Sequence, residues 1–145
     1  GFGGSVLRDV IQYVDRIILP YRPSHVVVHS GDEELSRGMT GDQIFAAYQD
    51  LVTMIHLDHP QARITWIAMK PSPALWQHAD VMRAVNDRAK DFARGDRRLQ
   101  YVDVFTPMLT AGGTPREELF SEDNLHLNAQ GYALWSEILS RYVER

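Results

Sequence analysis

Three short apolar runs constrain this chain more than any other feature. They are HVVVHS at 25 to 30, RITWIAM at 63 to 69 and LQYVDVF at 99 to 105, and segments of helical period fill the gaps between them. Runs this short, rich in β-branched and aromatic residues, suit strands buried on both faces of a sheet. Successive strands spaced by more than a dozen helical residues read as right-handed crossovers in a parallel sheet. The intervening segments carry their own signals. Val6, Leu7, Val10, Ile11, Val14 and Ile18 predict a helix over 5 to 19, with Ser5 as its N-cap and Pro20 and Pro23 as its stop. A polar stretch with Gly31, Gly38 and Gly41 follows the first run. Thr40 then opens a second helix, with Gln43 at capping-box spacing and Ile44, Phe45, Tyr48, Leu51, Val52 and Ile55 on one face. A third covers 77 to 93 through Val81, Met82, Val85, Ala89 and Phe92. Asn128 caps a last helix whose apolar face is Tyr132, Trp135, Ile138, Leu139 and Tyr142. The expected fold class is α/β, a parallel sheet with helices on both faces.

In such sheets ligands bind beyond the carboxyl ends of the strands. Here those ends are Ser30 to Glu34, Lys70 to Pro73, and the stretch after Phe105 that leads to Asp123 and His126. Composition narrows the chemistry. A net charge of −4 argues against a surface that tracks phosphates, so nucleic acid is not an expected partner. No stretch reaches the roughly 18 apolar residues of a membrane span. With no cysteine, disulfides, thiolate metal sites and a Cys nucleophile are excluded. None of this fixes a compartment, and localisation stays open.

The most informative stretch is SEDNLHLNAQGY, 121 to 132. A general base needs a histidine and a partner that fixes its tautomer. A carboxylate that accepts the Nδ1 hydrogen leaves Nε2 free to take a proton from a nucleophile. Three residues in a tight turn bring Asp123 back to His126. The bland alternative is a helix-entry loop, where Asp and Asn are common for capping reasons alone.

DNLHLNAQGY resembles the last signature block of the SGNH, or GDSL-type, ester hydrolases, whose Asp-x-x-His supplies the acid and base of a Ser-His-Asp triad. GFGGS (1 to 5) resembles the family's second block, with Gly4 as the backbone donor to the oxyanion. VVVHSGDEEL (26 to 35) resembles the third, a strand ending in Gly-x-Asn, often followed by Asp. ITWIAMKPSP and LQYVDVFTPML resemble its later strands. The resemblance implies a flavodoxin-like three-layer α/β/α sandwich over residues 1–145, one domain comprising the C-terminal three quarters of the family fold. It also implies a small-molecule ester substrate and no metal or other cofactor.

Two departures qualify that reading. The family's nucleophile is the Ser of a Gly-Asp-Ser motif upstream of the second block, and none of the Gly-Asp pairs here (31–32, 41–42, 95–96) is followed by Ser. The resemblance therefore implies that the Ser and the first two strands lie upstream of Gly1. A chain without those strands exposes a long sheet edge, which invites self-association or a complementing fragment. The second departure is Glu33, which stands where the family has the oxyanion-hole Asn. An ionised Glu accepts but cannot donate, and losing one such donor costs about 100- to 1000-fold in rate. Glu34 replaces the following Asp and has no role assigned from sequence. The expected function is ester hydrolysis with Asp123 and His126 as the acid–base pair. The competing expectation is an inactive binding or assembly module of the same fold. Ser5, Ser30, Ser72 and Ser121 are read as capping or loop hydroxyls. Two metal readings rank behind these: His56 with His59, and Asp32, Glu33 and Glu34 joined to Asp123 and His126. Trp76 is a candidate pocket wall.

Overall fold

The structure is a computed structural model that describes residues 25–29 and 31–143. Gly4, Ser5, the helix expected over 5 to 19, and Ser30 lie outside the described residues. Strands β1 (His25–His29), β2 (Arg63–Ile67) and β3 (Leu99–Val102) form a parallel sheet in the order β1-β2-β3. The register aligns Val28 with Trp66 and Trp66 with Tyr101. Among the described residues β1 pairs on one side only, and the self-association expected of that edge has no support among them.

Helices follow the strands in the expected alternation. A short α1 (Asp32–Ser36) leads to α2 (Gly41–Asp58), then α3 (Ala79–Arg94) after β2 and α4 (Ala129–Val143) after β3. The Thr40 capping box is present: Thr40 Oγ1 accepts from Gln43 N–H at 3.1 Å, and Gln43 Oε1 accepts from Thr40 N–H at 2.9 Å. All six apolar residues expected on the inner face of α2 are buried. Trp66 meets Tyr48 of α2 with ring centroids 4.5 Å apart, so α2 covers one face of the sheet. His29 points to the other face by the alternation of a strand. There it meets Trp135 of α4 edge-on at 4.8 Å.

Two expectations need correction, and one stretch to which the sequence assigned no element gains one: residues 32–36, after β1, form α1, whose first turn holds Asp32, Glu33 and Glu34. Carboxylates there complement the positive end of the helix. The strands are shorter than the apolar runs. Asp103 Oδ1 accepts from the N–H groups of Phe105 and Thr106 and turns the chain out of β3. Asn86 of α3 takes both backbone groups of Met69, accepting from its N–H at 2.8 Å and donating to its carbonyl at 3.3 Å. Finally, the buried stripe of α4 is narrower than its pattern: Trp135 and Ile138 are core, while Tyr132 is 59% exposed.

Candidate functional site

The loop that carries Asp123 and His126 is built from its own backbone. Asn124 takes a left-handed conformation, φ 57°, and its N–H donates to Ser121 O at 2.9 Å. Asn tolerates that region better than most residues. The turn is closed by Ser121 N–H to His126 O at 2.8 Å and by an antiparallel bridge between Phe120 and Leu127. Within it Asp123 is fully engaged. Its Oδ1 accepts from Leu125 N–H at 2.9 Å and His126 N–H at 3.0 Å, and its Oδ2 lies 2.5 Å from His126 Nδ1. The His126 ring bond, then the Leu125 and His126 amides, hold the Asp123 carboxyl well below the usual carboxylate range. An ionised Asp123 accepts at Oδ2, so Nδ1 carries the hydrogen and Nε2 is the nitrogen left to take a proton. The pair faces solvent, with 72% of the His126 side chain and 47% of Asp123 exposed. Ala74 N–H donates to Asn124 O at 3.0 Å and ties this loop to the segment beyond β2.

The turn after β1 has a different construction. Gly31 has φ 129°, and a Cβ on it would lie 2.6 Å from Met69 Cε. Both facts require glycine there. Each of the three following acids has a partner. Asp32 pairs with Lys70 across the ends of β1 and β2, and the Lys70 side chain is almost fully buried. Glu33 pairs with Arg37 one helical turn on, at 3.3 Å. Glu34 is fully buried and its Oε2 accepts from Gly31 N–H at 2.8 Å. Glu34 therefore holds the strand-to-helix turn, a role its sequence position did not disclose. Burial of Lys70 and Asn86 was equally hidden, because both are polar residues next to strand or helix patterns that read as ordinary.

The other candidates resolve as follows. His56 Nε2 bonds the Ala62 carbonyl at 2.9 Å at the end of α2. Among the described residues no three His, Asp or Glu side chains converge to hold a metal ion. Ser72 does not act as a loop hydroxyl: it is fully buried, and among the described residues its Oγ has no hydrogen-bond partner. Ser121 Oγ donates to Leu127 O at 3.4 Å, in keeping with its expected loop role. Trp76 stacks on Phe105 at 6.1 Å, with the Arg83 guanidinium over both rings. No helix among the described residues is long and apolar enough to cross a membrane.

Comparison with known proteins agrees with this layout. A family model described as GDSL-like lipase/acylhydrolase matches residues 1–134. No curated protein sequence matches the chain. Similar solved structures include a GDSL-like lipase from Bacteroides thetaiotaomicron, 14% identical with a TM-score of 0.81, covering 97% of this chain and 72% of that one. A family 3 carbohydrate esterase from Talaromyces cellulolyticus is 16% identical with a TM-score of 0.82, covering 97% and 67%. The OSK domain of Drosophila Oskar is 18% identical with a TM-score of 0.76, covering 98% and 72%. At these identities the likeness concerns the fold.

Proposed function

This chain belongs to the GDSL-like lipase/acylhydrolase family, and we propose that it carries the acid–base pair of a serine ester hydrolase. The observation that carries this reading is the Asp123–His126 bond of 2.5 Å in a loop fixed by its own backbone. In the proposed reaction a serine of the family's Gly-Asp-Ser type attacks the carbonyl of a small ester. His126 Nε2 takes the hydroxyl proton and returns it to the leaving alcohol, and Asp123 stabilises the imidazolium without itself being protonated. Water then repeats the sequence on the acyl-enzyme, with His126 again the base. The Gly4 backbone N–H and the amide of the nucleophile would stabilise the oxyanion. Glu33, in the position of the family's Asn, accepts hydrogen bonds and contributes no donor.

Glu33 also favours a second reading, a binding module that keeps the fold without turnover. Hydrolysis of a p-nitrophenyl ester by the full-length protein separates the two. Turnover that disappears in His126→Ala supports the hydrolase. No turnover in the wild type, together with none in Glu33→Asn, supports the binding module.

A further inference from the structure

The acid–base pair is exposed, so core packing does not hold the His126 ring. Its orientation depends on the backbone beneath it, and that backbone converges on one side chain. Asn128 does what an N-cap does: its Oδ1 accepts from Gly131 N–H at 3.0 Å and satisfies a free amide of α4. It also does more than a cap requires. Its Nδ2 donates to the carbonyls of Glu118 at 2.8 Å and Phe120 at 3.0 Å, and its own N–H donates to Leu119 O at 3.1 Å. The segment 118–120 is thereby fastened to the start of α4. Gly131 permits the approach, because a Cβ there would collide with the Leu119 carbonyl.

Phe120 is the residue that pairs with Leu127 at the base of the Asp123–His126 turn. From this geometry we infer that Asn128 is a positioning residue for His126: its two carbonyl contacts fix the base of the turn and so the direction of the imidazole. The inference rests on the acid–base reading of Asp123 and His126. Gly131 supports the clamp by leaving room for it. The two roles of Asn128 are separable by substitution. Serine keeps an N-cap acceptor and removes both donations. Aspartate keeps the shape and the acceptor but turns an acceptor toward two carbonyls.

The test reads the tautomer of His126 from imidazole 15N shifts, well above the ordinary histidine pKa, in wild type, Asn128→Ser and Asn128→Asp. The resonance is assigned by its loss in His126→Gln, and amide spectra report folding. This readout needs no catalytic turnover. The wild type should show the Nδ1–H tautomer almost exclusively. The folded variants should shift toward the mixed population of an untethered histidine. A folded variant with the wild-type tautomer would overturn the inference, leaving Asn128 a cap alone. Two unfolded variants would also overturn it, because Asn128 would then hold the fold rather than the pair. A wild type without the Nδ1–H preference would remove the acid–base pair itself, and this inference with it.

Discussion

The Asp123–His126 loop and the turn after β1 face the same edge of the sheet but are stabilised by opposite means. The loop at 121–127 is exposed, and local backbone bonds, one left-handed Asn and the Asp123 carboxylate hold it. The turn at 31–34 is packed against β2, held by a buried carboxylate, an ion pair and a glycine pressed on Met69. The first holds the pair proposed as acid and base. The second keeps its shape around Gly31, with Glu33 at the position where the resemblance places an Asn. In the four-residue Asp-x-x-His turn, the Asp123 and His126 side chains themselves close the turn. In the Gly31–Glu34 turn, Gly31 and Glu34 maintain the backbone, which leaves position 33 free to vary without loss of the fold.

The largest effects should come from the loop. His126→Ala should lower kcat by about 10⁴-fold or more, and Asp123→Asn by about 10⁴-fold, through loss of the correct tautomer. Steady-state ester hydrolysis at saturating substrate checks both. Equal residual rates in wild type and variants would separate the loop from catalysis.

Next is position 33. Glu33→Asn restores a donor and should raise kcat by about 100- to 1000-fold, with little change in KM. It also breaks the Arg37 pair, which is half exposed and contributes little to stability. An unchanged kcat would show that position 33 is not aimed at the oxyanion.

The packed turn should answer in stability. Asn86→Ala strips both backbone groups of buried Met69 of their partners and should cost about 2–4 kcal/mol in urea denaturation. A loss under about 0.5 kcal/mol would mean that water replaces the side chain and that the end of β2 does not depend on it.

The smallest effect is a titration. A free Asp protonates near pH 3.9, whereas Asp123 is held well below that range by His126 and two amides. A depressed pKa means that the folded state favours the ionised form. Its stabilisation is full above the unfolded value and is lost only as pH falls through the folded one. The Asp123 carboxyl 13C shift should therefore show no protonation step near pH 3.9. A midpoint near 3.9 would show that the contact with His126 does not persist in solution.

Much of this was legible in the chain. The three apolar runs, the Thr40–Gln43 box, the Asn128 cap and the Asp123–His126 spacing each rest on local rules, and local rules are visible in sequence. What was hidden depends on contacts distant in sequence or on burial of polar groups. Lys70 meets Asp32 across two strands, and Asn86 reaches Met69 from the next helix. The acidic triplet at 32–34 was assigned no element, and Glu34 no role, because nothing local shows that Glu34 turns inward to Gly31. Tyr132 fitted the helical stripe, but only tertiary neighbours decide how wide a stripe is buried.

The pairing of Asp123 and His126 as acid and base of a serine hydrolase is tested most directly by the rate of labelling with a fluorophosphonate probe, compared in the full-length protein and in its His126→Ala variant. An acid–base role for His126 predicts labelling of one serine at a rate that falls by three orders of magnitude or more in the variant, since removing a triad base costs on the order of 10⁶-fold in kcat. Labelling at the same rate in both proteins, or none in the wild type, would contradict it.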